Sequence, residues 1–381
     1  MVESFGVETA DQHLAAWRDL VDRAIEPNVF MDPDFAAPAA MHLPPAQRPE
    51  FIAVWEGAGF DSRARLIALA AVETRRSFLA GKLALGWLHA HSALGAPLVD
   101  RMAAPRAIAA LFDWIARERP AWVGLALPRL VQSGPLFASL IEHAAGSDRA
   151  WSVAGMFERA ILRRGRSAEE ILQVVHSRKH RKDFKRKGSR LAELGAIEVT
   201  SCATPADMRA ATEMFLAMEQ KSWKGGRGTA LLSRIGDATF ARAMTRLMSR
   251  RGQCRIDALT LNGVPIAMAI ILTSGGRSYF WKTAFDERYA VHSPGALLAR
   301  ALVNRQLATP GVDITDSCAI AGHPMIERIW PDRQTVADLE ICCDPRNAAA
   351  FQTAVRRRAV WRDLRSRAKM AVTAALRRKV S

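Results

Sequence analysis

One stretch of this chain, Asn262 to Asp316, restricts the possible folds more than any other, because strand and turn signals follow one another there in a fixed order. Asn262-Gly263 separates two apolar runs, and this dipeptide in such a place predicts a β-hairpin. The next run, Ser278–Phe285, contains three adjacent aromatic residues, which favours a central strand. The stretch therefore predicts a three-stranded antiparallel meander.

A helix is predicted directly after this meander. Ser293 is a residue type favoured at the N-cap, Pro294 fits the first helical position, and Gly295 has no side chain to obstruct a ligand. The leucines and alanines that follow keep helical spacing. Because the start of a helix offers free backbone N–H groups and the positive end of the helix dipole, we expect an anion such as a pyrophosphate to bind there.

The length of 381 residues favours two domains, and 49% apolar residues are sufficient for two cores. We predict an N-terminal domain over residues 1–165, a basic linker helix over 166–194, a second domain over 195–345 and a basic amphipathic helix over 346–381. Both domains show an antiparallel meander, a helix, a strand, a helix and a strand, which indicates a structural repeat.

The formal charge of +16 is concentrated in two segments. Residues 159–190 carry a net charge of +9 and residues 346–381 a net charge of +10, so the rest of the chain has a net charge of −3. A basic charge confined to two segments argues against a protein that binds nucleic acid over its whole surface.

Cysteine usage and hydropathy indicate the compartment. The five cysteines are odd in number and include no Cys-x-x-Cys pair, which supports neither a disulfide framework nor a zinc site. The acidic start of the chain does not resemble a signal peptide, and no uncharged apolar run approaches the roughly 18 residues that span a bilayer. We expect a soluble, cytoplasmic protein that uses no metal.

The order of predicted elements in the second half resembles that of the GNAT acyltransferase fold. That order is a strand, two helices, a three-stranded meander, a cofactor-binding helix, and then a strand, a helix and a strand. The resemblance implies an α/β (α+β) protein with tandem GNAT-like domains, each built on a mixed, mostly antiparallel central sheet flanked by helices.

Short motifs narrow the resemblance to one branch. They are similar to motifs of the GNAT branch that includes CelD-type proteins of bacterial cellulose biosynthesis and is related to Fem-type transferases. The matching residues are Phe285 to Tyr289, Ser293 to Leu298, Ser177, Arg178, Arg181 and Arg186 of the basic linker, Lys221 to Lys224, and Asp316 with the following His323.

This resemblance implies an acyl-CoA cosubstrate, either acetyl-CoA or another acyl-CoA, bound by Tyr289, Ser293, Pro294, Gly295 and Ala296. The chain departs from the usual GNAT phosphate loop, which has a Gln or Arg and two spaced glycines, because only Gly295 remains. Fem-type relatives use aminoacyl-tRNA as donor, so two donors stay open.

Acyl transfer to an amine also needs a base for the ammonium group and a donor to the oxyanion. Glu219 lies late in a predicted helix, Asp316 at the end of the strand after the cofactor helix, and His323 in the following loop. Lys282, on the central strand, would pair with a phosphate or polarise the thioester carbonyl. Each of these residues also has a purely structural alternative. Glu219 would be a solvated helix residue, Asp316 would cap a turn, His323 would pack in its loop, and Lys282 would face solvent.

Three further residues, Trp223, Lys221 and Arg178, are candidates for binding the substrate, although aromatics are more often core and basic runs more often solvated. The last helix interleaves arginines with apolar residues such as Phe351 and Trp361. This pattern suits an anionic membrane surface or packing on the body of the protein, and nucleic-acid binding is a third possibility.

We therefore predict an acyl-CoA-dependent N-acyltransferase, of the N-acetyltransferase type in EC class 2.3.1. Its acceptor would be a small-molecule or glycan amine of polysaccharide or cell-envelope metabolism. One alternative is a Fem-like aminoacyl-tRNA-dependent transferase that binds tRNA through the basic linker. Another is a non-catalytic assembly protein, peripheral at the inner membrane.

Overall fold

The computed structural model describes residues 1–57, 64–73, 83–175 and 178–378. Within these ranges the strands are β1 (Val2–Phe5), β2 (Pro49–Glu56), β3 (Arg65–Glu73), β4 (Leu83–Leu85), β5 (Leu98–Val99), β6 (Gly124–Val131), β7 (Trp151–Arg163), β8 (Ile197–Cys202), β9 (Cys254–Leu261), β10 (Val264–Ser274), β11 (Arg277–Phe285), β12 (Ile314–Asp316) and β13 (Asp332–Cys342). The helices are α1 (Leu14–Arg23), α2 (Pro33–His42), α3 (Ala104–Glu118), α4 (Pro135–Gly146), α5 (Ala168–Val175), α6 (Arg178–Ala192), α7 (Pro205–Lys221), α8 (Trp223–Gly226), α9 (Ile235–Arg250), α10 (Pro294–Ala308) and α11 (Ala348–Arg378).

The order of elements repeats along the chain. A strand, two helices, a meander, a helix, a strand, a helix and a strand run from β1 to β7. The same order runs from β8 to β13, with the short helix α8 added and a 3-10 turn, Ile326–Arg328, in place of the last helix. The α/β class and the tandem arrangement predicted from the sequence are confirmed.

Contacts divide the chain into two compact units that do not follow chain order. Unit 1 comprises residues 1–6, 49–156 and 336–381, and unit 2 comprises residues 7–48 and 157–335. Helices α1 and α2 of the first repeat therefore belong to unit 2, and α11 belongs to unit 1. The predicted boundaries follow chain order and so differ from this division.

Unit 2 contains six strands in the order β7-β12-β11-β10-β9-β8. Neighbouring strands are antiparallel except β11 and β12, which are parallel and are connected by α10. The predicted hairpin at Asn262-Gly263 connects β9 with β10, and Asn262 has the positive φ of 50° that such a turn requires. The meander predicted from the sequence is therefore present.

The two faces of this sheet carry different helices. Trp281 of β11 packs edge-on against Phe35 of α2 and Phe240 of α9. Phe280, the preceding residue, packs against Trp330 and belongs to the core cluster that includes α10. Helices α2 and α9 thus cover one face, and α10 covers the other.

A β-bulge in β11 changes the alternation of its side chains. Ile270 of β10 pairs with Lys282 and the next residue, Ile271, pairs with Phe280, so Trp281 is an extra residue. Strict alternation would place Lys282 on the same face as Phe280. Lys282 instead lies on the face of Trp281, near carboxylates of α7 and α9.

Unit 1 contains a four-stranded sheet of order β1-β2-β3-β5, and a group in which β6 lies between β4 and β13. Strand β4 is parallel to β6, and β13 is antiparallel to it. Helix α11 packs on this group through the buried Phe351, whose ring would lie only 2.6 Å from a Cβ atom on Gly124. A glycine at position 124 is what allows this close approach.

The linker helix predicted over residues 166–194 is described as α5 and α6, and the two residues between them, including Ser177, lie outside the described part. The structure describes no helix whose length and apolar character would let it cross a bilayer.

Candidate active site

Strand β12 pairs with only the first part of β11. The parallel register covers Arg277–Tyr279 of β11 and Ile314–Asp316 of β12. Beyond it, Phe280–Phe285 pairs with β10 and with no other described strand. Because backbone N–H and C=O groups along an unpaired edge need partners, this edge is able to receive an extended chain that carries amide groups. We call it the open edge of β11, and it leads towards the start of α10.

Ser293, just before α10, has the left-handed conformation, with φ 52° and ψ 54°. A non-glycine residue in this region costs on the order of 1–3 kcal/mol, and such residues cluster at functional sites. Ser293 occupies the predicted N-cap position, but its hydroxyl makes no capping hydrogen bond. Its Oγ instead accepts a hydrogen bond at 3.1 Å from Nζ of Lys187 in the basic helix α6.

The first backbone N–H groups of α10 are only partly available to a ligand. The N–H of Ser293 donates to the carbonyl of Ala290, and that of Ala296 donates to the carbonyl of Ser293. The N–H of Gly295 has no hydrogen-bond partner among the described residues. Of these three amides, that of Gly295 is therefore the unoccupied donor, with the Lys187 ammonium group nearby.

Lys224 connects the end of α7 with β11. Its Nζ donates to Glu219 Oε1 at 3.0 Å and to the carbonyl of Thr283, on the second half of β11, at 2.7 Å. Glu219 is fully buried, and its Oε2 accepts the N–H of Leu231 at 2.9 Å. Glu219 is therefore not a solvated helix residue, and both of its carboxylate oxygens already accept a hydrogen bond.

Lys282 lies next to this pair. Its pKa is lowered by burial and by the charge of Lys224, while Glu219 and Asp237 act in the opposite direction. Its Nζ lies 5.4 Å from the ring centre of Trp281, and it makes no ion pair with a described carboxylate. A larger fraction of its amine is therefore neutral than in an ordinary lysine, and a neutral amine is able to accept a proton.

His323 lies in the loop after β12. Its Nδ1 accepts the N–H groups of Met325 and Ile326, each at 3.4 Å. Burial lowers the pKa of this imidazole, with Glu327 opposing and Lys224 adding to the shift. Lys224 pairs with Glu219, and its charge also contributes to the lowered pKa values of Lys282 and His323. Lys224 therefore interacts with three of the four predicted catalytic residues.

Asp316, the fourth predicted catalytic residue, has a different environment. It is fully buried and forms an ion pair at 3.2 Å with the buried Arg159. Its Oδ1 accepts the N–H of Cys318 at 2.7 Å, which stabilises the turn after β12. These contacts are those of a turn cap and a buried ion pair, the structural alternative for this residue.

A groove of about 590 Å³ lies between the end of α7, the β9–β10 hairpin and the end of β11. Apolar side chains such as Met214 and Met218 line it, together with the charged Lys221 and Glu287. Phe285 also lines it, and the same ring would lie 3.5 Å from a Cβ atom on Gly295. Phe285 therefore separates the groove from the start of α10.

The remaining predicted residues are more dispersed. Trp223 is 47% exposed, and its backbone N–H donates to the carboxylate of Glu287. The Arg227 guanidinium lies 4.9 Å from the centre of the Trp223 ring. Tyr289 is partly buried against the core that includes α10. Arg178 is the first residue of α6, and its side chain lies outside the described part.

Two residues that the sequence places only within longer motifs, with no role of their own, make contacts in this site: Lys224 and Lys187. Lys224 follows its partner Glu219 by five residues, a spacing that no regular helical pattern would indicate. Lys187 is one of eight Lys or Arg residues in α6, and nothing in the sequence distinguishes it from the others.

Comparison with known proteins agrees with this geometry. Residues 178–319 match the family model described as an acetyltransferase (GNAT) domain. These residues include α10 and β11 with its open edge. By this match the segment is similar to a GNAT acetyltransferase domain.

Two solved structures share the fold of this chain at low identity. The crystal structure of FemX has a TM-score of 0.55 and 11% identity, over 89% of this chain and 96% of that chain. The C-terminal domain of a putative lysylphosphatidylglycerol synthetase from Agrobacterium fabrum has a TM-score of 0.51 and 12% identity, over 91% of this chain and 96% of that chain. No curated protein matches the sequence.

Proposed function

We propose that this protein is a GNAT-type transferase that moves an acyl group from an acyl-CoA, such as acetyl-CoA, to an amine. The observation that carries the proposal is the open edge of β11, Phe280–Phe285, which leads to the start of α10. The arm of coenzyme A is an extended chain with amide groups that ends in the thioester, and its other end carries phosphates. The open edge suits the arm, and the Gly295 N–H with the Lys187 ammonium group suits the phosphates.

In the proposed reaction the acceptor amine attacks the thioester carbonyl carbon. The new C–N bond forms, the C–S bond breaks, and the thiolate of coenzyme A accepts a proton as it leaves. Lys282 and His323 are the candidates for removing the proton of the acceptor ammonium group, because both pKa values are lowered by burial. The groove beside Phe285 would bind the acceptor, with Lys221 and the carboxylates of Asp286 and Glu287 on its wall.

Two substitutions at Gly295 test the donor site. Gly295→Asp places a carboxylate against the phosphates, so we expect acetyl-CoA affinity to fall at least a hundredfold in isothermal titration calorimetry. Gly295→Ala is the matched control, because its Cβ atom would make ordinary contacts at 3.5 Å with Phe285 and 3.8 Å with Met325. Unchanged affinity in a folded Asp variant would contradict the proposed site.

A second candidate donor is aminoacyl-tRNA, the donor of Fem-type relatives. The specific observation in its favour is helix α6, which carries eight Lys or Arg and a single Asp, and whose Lys187 contacts Ser293. Melting temperatures measured with acetyl-CoA and with tRNA distinguish the donors. Stabilisation by acetyl-CoA alone supports the first proposal, and stabilisation by tRNA alone supports the second.

The acceptor is proposed from the motif resemblance to the CelD-type branch. On that basis it is a small-molecule or glycan amine of polysaccharide or cell-envelope metabolism. A protein that is stabilised by neither donor would correspond to the third alternative, a non-catalytic assembly protein.

A further inference from the structure

Helix α11, Ala348–Arg378, changes its surroundings along its length. Near its start, Phe351 and Ala354 are buried in unit 1. One turn further, Arg358 donates at 2.8 Å to Glu340, a fully buried carboxylate of β13. These residues fix the first turns of the helix on the body of unit 1, so the orientation of the turns that follow is determined.

The next turns expose apolar side chains. Val360 is 59% exposed, Trp361 46% and Leu364 51%. Because residues three and four positions apart are neighbours on a helix, the three side chains form one continuous patch. We call this patch the distal strip. Val360 and Leu364 lie on the side of the helix away from Phe351, and Trp361, three positions after Arg358, lies at the edge of that side.

Arginines border the distal strip on both sides. Arg356, Arg357, Arg365 and Arg367 are all exposed, and each lies three or four positions from a member of the strip or directly beside one. The only acidic residue of α11 is Asp363, which pairs with Arg367 at 2.8 Å. An apolar strip with a tryptophan and a border of arginines has the chemistry of a helix that lies in a membrane interface.

We infer that the distal strip of α11 docks the protein on an anionic lipid surface. The three apolar side chains would enter the boundary between headgroups and acyl chains, while the arginines reach the lipid phosphates. The contact needs no change in unit 1, because Phe351, Ala354 and Arg358 already present the strip outwards.

The charge of the strip argues for lipid rather than for a second copy of this chain. A symmetric pair of α11 helices would bring the same arginines together, and one Asp363 per chain does not neutralise them. Three exposed apolar residues also provide far less than the roughly 800 Å² per partner of a stable interface. An anionic bilayer satisfies both the apolar and the basic side chains.

The test is sedimentation of the full-length protein with vesicles of phosphatidylcholine alone or mixed with phosphatidylglycerol. We expect binding to the mixed vesicles only, and we expect it to weaken as salt is raised, because exposed charges are screened. Each basic residue near such a surface contributes about fivefold to binding. The double variant Arg357→Glu/Arg365→Glu should therefore bind more than about 25-fold more weakly, because it removes two basic residues and adds two negative charges.

The double variant Arg246→Glu/Arg250→Glu is the matched control, since it makes the same change of charge on exposed positions of α9 in unit 2. It should bind vesicles like the wild type. Trp361→Ala tests the apolar part and should weaken binding at least tenfold without lowering the melting temperature. Equal loss in both double variants, no binding to anionic vesicles, or concentration-dependent dimerisation that these α11 substitutions abolish would overturn the inference.

Discussion

The ammonium group of Lys282 is in an environment that opposes its charge. The bulge at Trp281 places it on the same face as α7 and α9, beside Lys224, and it lacks an ion pair of its own with any described carboxylate. Glu219, the carboxylate that most opposes the lowering of the Lys282 pKa, is already paired with Lys224. A protein rarely keeps a lysine in such a place for stability, and perturbed groups of this kind concentrate at functional sites.

Replacing Lys282 by Met should stabilise the fold in a pH-dependent way. Burial lowers the pKa of Lys282 from the ordinary value of 10.5, so between the lowered value and 10.5 the unfolded chain holds a proton that the folded chain has released. The stability of the wild type therefore rises with pH through this window. The advantage of the Lys282→Met variant should be largest below the window and should disappear as the pH approaches 10.5.

Urea unfolding at several pH values from 6 to about 10 measures this difference in the free energy of unfolding. Lys221→Met serves as the control, because Lys221 is exposed. If the advantage of Lys282→Met does not change with pH, its cause is packing and not the charge of the lysine.

At the level of single residues, the sequence indicates which side chains are candidates for catalysis. It does not indicate which of these side chains interact with one another. Glu219, Lys282 and His323 are predicted separately from the sequence, and each interacts electrostatically with Lys224 in the structure. Asp316 is predicted on the same grounds, but its carboxylate forms an ion pair with Arg159 and accepts the backbone N–H of Cys318. The bulge and the Lys224 contacts depend on tertiary pairing, which local residue types do not encode.

Among the elements, the short helix α8 contributes a side chain, Lys224, that contacts two other elements of unit 2. Lys224 joins Glu219 of α7 and the carbonyl of Thr283 in β11. It thereby connects the helix before the site with the strand that forms the open edge. The contact includes an ion pair whose carboxylate is fully buried and whose lysine side chain is 22% exposed.

Lys224→Met should therefore destabilise the protein by about 3 kcal/mol, because it leaves the buried Glu219 without its cation. The free energy of unfolding in urea measures the loss, and adding Glu219→Gln to the Lys224→Met variant should recover part of it. If Lys224→Met and the exposed control Lys221→Met cost the same, the ion pair does not stabilise the structure.

The regular elements around the site were largely predictable. The meander from β9 to β11 and helix α10 follow turn and capping signals that lie within the segment itself. Helix α2, Pro33–His42, was not predicted, since it contains Pro38 and is almost entirely apolar. Helix α2 is stabilised by packing against α9 through Phe35 and Phe240. No local sequence pattern indicates that contact.

For the whole molecule, the packing of α11 on unit 1 is the feature most open to a direct test. Phe351 is buried beside Gly124, so Phe351→Ala should cost about 3–5 kcal/mol. The loosened helix would expose its many arginines, and limited trypsin digestion should cleave within α11 sooner than in the wild type. Leu364→Ala, on the exposed side of the same helix, should leave both stability and cleavage rate unchanged.

The tandem repeat was visible in the sequence, but the composition of the two units was not. The order of strands and helices can be counted along the chain, whereas the grouping of residues 7–48 with unit 2 depends on contacts between distant segments. The same holds for β13, which pairs with β6 across a long separation in sequence. The residue pattern within a segment indicates whether it forms a helix or a strand. It does not indicate which other segment it packs against or pairs with.

That long separation has a consequence during synthesis. The last strand of the chain, β13, completes the sheet group of β4 and β6, which leaves the ribosome much earlier. At about 5–20 residues per second, the nascent chain waits on the order of 10–40 s with one side of β6 unpaired. During that interval the exposed strand is a target for chaperones, and a gene cut after the first repeat would yield a product that lacks its closing strand.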